Sequence, residues 1–332
     1  MRRNLIWKLS GALLVLTAGA GLCQQKLAQT GLKFLSVTTD ARVSAMGEAA
    51  VTTTGTSSAM FFNPAGMARL TNSVDISLGR VNWIADINYS FGSMALNIAE
   101  GKYGVFGVNF LSVDYGDLRG TVRATNDAGY QDTGVFSPTA FAVGFGYAKA
   151  LSDKFSVGGN MRYVKQDLQS SIVAYNQDGS PIRTDNRVDV YTFDFGILYR
   201  TGFKSLDFGM NLRNFSEEIE YVQESFQLPL TFELGISMNV MDLLGDEEAS
   251  TDFNVSVDAV HPRDFNEQFN FGGEYVFMEV FALRAGYTFP SDEHHFSAGA
   301  GFRKNSLFAL DYAYTPFGLF KDVHRFSVHF GL

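Results

Sequence analysis

Cysteine is almost missing from this chain. Cys23 is the only one in 332 residues, so no intramolecular disulfide is possible. Histidine is scarce, with five residues, no H-E-x-x-H and no Cys cluster, so the usual zinc signatures are absent. No glycine run has phosphate-loop spacing. Gly144-Phe145-Gly146 and Gly299-Ala300-Gly301 lie inside alternating segments, where glycine relieves crowding on a curved sheet. Charged residues make up only 18% of the chain, the net charge is −9 and there is no basic patch. Neutralising phosphates needs such a patch, so no nucleic-acid partner is expected. The longest apolar run, Leu9–Leu22, falls short of the ~20 residues of a membrane-spanning helix.

Catalytic chemistry is equally hard to place. His324 and His329 near Asp322 suggest a Ser-His-acid triad, but five scattered histidines show no such spacing. Asp292-Glu293-His294-His295 is the most ligand-like cluster. Adjacent residues of a strand face opposite ways, so it reads as a solvated loop running into a strand. The chain is therefore expected to be no enzyme and to carry no cofactor or metal.

What is abundant is 33 Gly, 31 Phe and 14 Tyr. Mean hydropathy is −0.01, so apolar residues are interleaved with polar ones. Fourteen alternating segments follow residue 72, near 73–80, 85–98, 103–113, 139–149, 154–167, 188–200, 204–214, 230–240, 252–260, 267–277, 280–288, 295–303, 307–315 and 325–332. In the cleanest, Leu230, Phe232, Leu234, Ile236, Met238 and Val240 share one face, and Thr231, Glu233, Gly235, Ser237 and Asn239 the other. A soluble sandwich and a membrane barrel both fit such alternation. The connections decide. Short links near 100–102, 150–153, 201–203, 278–279 and 304–306 alternate with long ones at 114–138, 168–187 and 215–229. Short turns on one side and long loops on the other define an outer-membrane barrel. Asp178-Gly179 in the 168–187 loop predicts a β-ribbon rising above the membrane. Met241–Thr251 is long for an inner turn and has room for one helical turn.

The expected fold is all-β: a transmembrane antiparallel barrel of about 14 strands with an N-terminal hatch. Residues 1–23 read as a secretory signal, with a basic start at Arg2, Arg3 and Lys8 and an Ala18-Gly19-Ala20 cleavage site. Residues 24–71 form the hatch and 72–332 the barrel. The hatch is small, polar and without period two. Asn63 and Pro64 predict a helix start, an N-cap followed by Pro at the first helical position, and Gly66 allows another backbone to come close.

Asp40-Ala41-Arg42, Ala45-Met46-Gly47 and above all Asn63-Pro64-Ala65-Gly66-Met67-Ala68 make this segment resemble the N-terminal part of FadL-like outer-membrane proteins. It looks most like the PorV/PorQ branch, associated with type IX secretion. The local likeness covers about 40 residues, and beyond it rests on architecture and length. It implies a barrel in the bacterial outer membrane, contacting lipid, that binds secretion-system proteins or exported cargo. The FadL-like alternative is a transporter of hydrophobic small molecules.

Three sets of residues follow. The hatch motif is Asn63, Pro64, Ala65 and Gly66. Met60, Phe61, Phe62 and Met67 either line a hydrophobic pocket or pack the hatch itself. Parity puts Asp194, Asp207, Asn211, Arg213, Glu233, Asp258, Glu274, Arg284 and Asp311 inside the barrel. They are read as scaffold holding the hatch, with a polar pore as the other reading.

Overall fold

Asp75 pairs with Gly331 and Asn82 with His324, and this ladder between the first and last strands leaves the sheet without an edge. In the computed structural model, residues 30–176, 178–221, 224–244, 251–291, 294–304 and 307–332 are described. The expected signal at 1–23, and Asp292 and Glu293 of the loop cluster, lie outside them.

Fourteen strands close the barrel. In chain order the strands are β1 (Val74–Asn82), β2 (Asn88–Asn97), β3 (Val105–Asp114), β4 (Leu118–Arg123), β5 (Tyr130–Phe136), β6 (Thr139–Ala150), β7 (Phe155–Tyr175), β8 (Pro181–Arg200) and β9 (Asp207–Phe215). They continue as β10 (Ile219–Tyr221), β11 (Glu224–Phe226), β12 (Thr231–Asn239), β13 (Thr251–Pro262), β14 (Gln268–Phe277), β15 (Phe281–Phe289), β16 (Phe296–Lys304), β17 (Phe308–Thr315) and β18 (Val323–Gly331). β4–β5 and β10–β11 are separate two-stranded hairpins above the long-loop end. All fourteen alternating segments of the sequence are barrel strands. β7 and β8 run past the barrel as the expected ribbon, with Asp178-Gly179 at its tip and Gly179 at φ 81°. A helical turn, Met241–Leu244, opens the long inner connection.

Facing follows the pleat. Leu234 and Ile236 point out while Glu233 is buried inside. Phe269, Phe271, Leu283 and Phe302 likewise make the outer surface apolar. A closed sheet satisfies its own backbone groups, which is what permits a crossing of the hydrocarbon layer by strands. No helix among the described residues is long and apolar enough to cross.

Inside runs the hatch. It starts at the long-loop mouth, where Thr30 bridges to Gln227. It passes through a 3₁₀ turn at Lys33–Ser36 and α1 (Ala41–Ala45), capped by Asp40. Two further 3₁₀ turns, Ser57–Phe61 and Pro64–Arg69, bring it to the short-turn end, where Arg69 donates to the Asp153 carbonyl at 2.8 Å.

The facing carries a direct test. Ile236 is 47% exposed on the outer wall, whereas Ser237 points inward. Ile236→Arg should cost about 2–4 kcal/mol in lipid vesicles, and Ser237→Arg much less. Denaturant unfolding followed by heat-dependent gel migration measures both. Equal losses would contradict the assigned facing.

Candidate functional site

The hatch backbone has no neighbouring strand, so its N–H groups must find partners elsewhere or be left buried and unpaired. Its own turns supply many of them, and the lumen wall supplies others. Asp258 Oδ2 accepts from the amides of Ala50 and Val51 at 2.6 and 2.9 Å. Asp75 Oδ1 accepts from Ser57 N at 2.6 Å, Ser327 Oγ from Ala41 N at 2.7 Å, and Ser297 Oγ from Gly47 N at 3.0 Å. Hatch carbonyls are met from the wall as well. Arg325 donates to Thr38 O at 2.9 Å, Arg213 to Phe61 O at 3.1 Å, and Asn211 to Phe62 O.

Charge joins the two parts. Arg42 of α1 makes a two-point contact with Glu274, both bonds at 2.9 Å. Glu274 also takes Arg284 at 2.6 Å, and Arg284 reaches Asp311 at 2.6 Å. A second pair, Arg213–Glu233 at 2.9 Å, sits beside Phe61 and Phe62. A third, Arg162–Asp194 at 2.8 Å, extends to Asn214. The lumen set therefore divides into separate groups around the hatch. Asp207 joins none of these three pairs; it lines a small vestibule of about 240 Å³ at the short-turn end.

Inward-facing glycines make room for this approach. A Cβ on Gly286 would strike the Gly47 backbone, one on Gly158 the Pro64–Ala65 backbone, and one on Gly146 the methyl groups of Met60 and Met67. Gly146 thus makes room for the hatch. Gly299 makes room and relieves sheet crowding alike, since a Cβ there would meet the Tyr312 carbonyl of the neighbouring strand as well as the Ala45 side chain.

The hatch motif is built as the sequence indicates, and does more. Asn63 caps the Pro64–Arg69 turn, its Oδ1 accepting from Ala65 N at 3.1 Å. Its Nδ2 also donates to Val51 O at 2.8 Å and to Ile197 O of β8 at 3.0 Å. Gly66 lies against the Thr53 carbonyl and accepts from Gly55 N at 3.2 Å.

Above the hatch is a cavity of about 770 Å³, lined among others by Phe34, Phe62, Trp83, Tyr89, Tyr115, Glu48, Arg213 and Glu233. Of the four residues named for a pocket, only Phe62 lines it. Met60 and Met67 are buried against Ala95, Val105 and Ala148 of the wall, because Gly107 and Gly146 leave sulfur-sized space there. Phe61 stands edge-on to Phe91, ring centres 5.6 Å apart. At the rim, Thr30 and Lys33 both bond Asp264. Burial alone would raise the Asp264 carboxyl, but these hydrogen bonds outweigh it and hold it below the ordinary carboxylate value.

The histidines do not converge. His329 pairs with Asp75 inside at 2.5 Å, while His324 bonds the Tyr312 hydroxyl at 2.8 Å on the outer wall. Among the described residues no group of His, Cys, Asp and Glu is arranged to hold a metal. Asp75, Arg162 and Arg325 were not singled out by sequence, and Arg42 only as part of the Asp40-Ala41-Arg42 motif. Strand parity would have found the first three. Arg42 belongs to the hatch, which has no parity to read.

Two outcomes follow. Asn63→Ala removes a cap and also takes a donor from the buried Val51 carbonyl, so the cost should be about 1–3 kcal/mol, above the ~1 of a cap alone. Protease cutting within the hatch of the folded, detergent-solubilised barrel reports it. Rates equal to wild type would count against the assignment. A carboxyl with a depressed folded pKa stabilises above its unfolded value and loses that as pH falls through the folded one. Protection of Thr30–Lys33 amides from hydrogen exchange should therefore persist from neutral pH down to about 4 and fall only below it.

Over residues 22–259 the sequence matches the family model described as "Type IX secretion system protein PorV". No curated protein sequence matches the chain. Similar solved structures include the toluene transporter TbuX of Ralstonia pickettii, at 13% identity and TM-score 0.61, covering 88% of this chain and 98% of that one. The Pseudomonas putida toluene transporter TodX gives 11% and 0.60, covering 92% and 98%. A Pseudomonas aeruginosa FadL homologue gives 12% and 0.55, covering 93% and 100%. At these identities the likeness is one of fold, a FadL-like outer-membrane barrel. The family model takes in the whole described hatch and the barrel through most of β13, so this chain belongs to the PorV family.

Proposed function

We propose that this barrel binds partner or cargo proteins in type IX protein secretion and surface attachment, by recognition and without covalent chemistry. The observation that carries the reading is the ribbon of β7 and β8. It rises beyond the barrel wall with Val173, Tyr175 and Ile182 exposed, side chains suited to a protein surface and idle in water. The family match supports the same direction. The hatch, tied to the wall by backbone bonds on many strands, serves here as a fixed plug that lets loops be displayed without a leak.

The second reading, a transporter of hydrophobic small molecules, is favoured by the aromatic-lined cavity and by the fold shared with toluene transporters. Against it, the cavity floor carries Glu48 and the Arg213–Glu233 pair, poor surroundings for a hydrocarbon.

Deleting residues 171–184 removes most of the ribbon and leaves the barrel ladder intact. In cells, cargo should then fail to appear at the surface while sensitivity to small antibiotics stays unchanged. Normal cargo display, together with altered uptake of hydrophobic molecules by the Asn63→Ala hatch variant, would reverse the order of the two readings.

A further inference from the structure

Two acceptors that line the outer cavity have nothing to accept. Glu48 is one, and its carboxylate makes no hydrogen bond or ion pair among the described residues. The two basic residues that share the lining are both engaged, Lys33 with Asp264, and Arg213 with Glu233 and the Phe61 carbonyl. Asn270 is the other acceptor, 5% exposed and lining the same cavity. Its Nδ2 donates to the Glu48 carbonyl at 3.4 Å, which only that end of the amide can do. Its Oδ1 is then left buried without a donor. A buried acceptor is costly to leave unpaired, so this corner is short of N–H groups. Glu48 is also held at φ 66°, a left-handed backbone that glutamate seldom adopts and that recurs at ligand sites.

The rest of the lining narrows the ligand. Phe34, Phe62, Trp83, Tyr89 and Tyr115 supply rings, and about 770 Å³ is the size of a small-molecule site. Ring faces attract cations, and two at this end of the barrel already do so. Lys33 Nζ lies 4.5 Å from the centre of the Phe265 ring, and the Arg325 guanidinium 5.2 Å from that of Trp83. An anion would look to Arg325, whose Nη2 has no partner. That side chain is fully buried, bonds Thr38 and Thr315, and does not line the cavity. A bare metal ion would find one free carboxylate and one amide oxygen, too few ligands. An ammonium brings three N–H donors to these acceptors and an organic body to the rings.

We infer that the outer cavity is a binding site for an amphipathic organic amine. Its ammonium is held by the Glu48 carboxylate and Asn270 Oδ1, and its apolar or aromatic body lies against the cavity wall. A plain hydrocarbon would leave both acceptors unpaired, whereas the amine satisfies them. The site lies above the hatch, so binding requires no passage through the barrel. Such a ligand is independent of the partner-binding reading and goes beyond it.

Trp83 is the only tryptophan besides Trp7 of the expected signal, so its fluorescence reports the cavity. The test places the full chain in lipid nanodiscs, which keep detergent out of the site. It is titrated at neutral pH with phenylpropylamine, phenylpropanol and phenylpropanoate, which share a body and differ in the head group. The amine should shift Trp83 emission saturably and bind about ten- to hundredfold more tightly than the other two. Glu48→Gln should bring the amine down to the level of the alcohol. Glu48→Lys should reverse the preference in favour of the carboxylate, which a merely structural role for Glu48 would not do. Both variants should keep the heat-dependent gel shift of the folded barrel, because the Glu48 side chain bonds nothing in the wall. Equal affinity for the three probes, tightest binding by the carboxylate, or a signal that rises without saturating, as from partition into lipid, would each overturn the inference. So would an amine preference that survives Glu48→Gln. The three probes on the wild-type chain decide the matter even where a variant fails to fold. Cargo display is not read here, so the secretion role stands or falls separately.

Discussion

A coil threaded through a closed barrel has no strand to pair with, and most of this structure follows from that constraint. An unpaired buried amide costs about 1–3 kcal/mol, whereas a made hydrogen bond contributes only about 0.5–1.5. The forty-odd residues of the hatch therefore cannot lie loosely in the lumen. They need acceptors for their N–H groups and donors for their carbonyls at fixed places on the wall. Asp258, Asp75, Ser297 and Ser327 provide the first, and Arg325, Arg213 and Asn211 the second. A polar lumen is usually taken as the mark of a water-filled channel. Here much of the same polarity is consumed by a second piece of chain.

Buried carboxylates and guanidinium groups are tolerated on these terms because each has several partners. Glu274 holds two arginines, one from the hatch and one from its own wall, so removing either leaves the other in place. Removing Glu274 itself is the costly change, since it strands the Arg42 guanidinium. The arrangement gives the hatch a specified seat rather than much net stability. The inward glycines complete that seat by admitting backbone where any side chain would collide.

Alternation made the barrel legible. A period of two is a local signal, and facing, strand number and the lengths of successive links are all read directly from it. The Asn63-Pro64 turn was legible for the same reason, since a cap and its helix are neighbours in sequence. What the chain did not reveal is contact between segments far apart. Met60 and Met67 read as possible pocket residues because their burial depends on Gly107 and Gly146, some 40 to 90 positions away. Arg42 read as part of a motif, since its partner Glu274 is 232 positions away. The Asn63 donors had the same obscurity: Ile197 O becomes available only where the wall passes that turn.

The seating of the hatch also bears on which function the barrel can perform. Glu48 and Ala50 line the outer cavity, while Met46, Ala49 and Thr52 line the inner vestibule, so a single strand of backbone separates the two. That septum is thin, yet it is held by Asp258 at Ala50 and Val51, by Ser297 and Thr288 at Gly47, and by Asn63 at Val51. Passage along the axis would require several of these bonds to break together. Each break exposes a polar group to a lumen that offers few substitutes. A surface that acts through its loops makes no such demand, because the loops can be engaged while the septum stays closed. The energetics of the plug thus favour work done at the mouth over work done through the barrel.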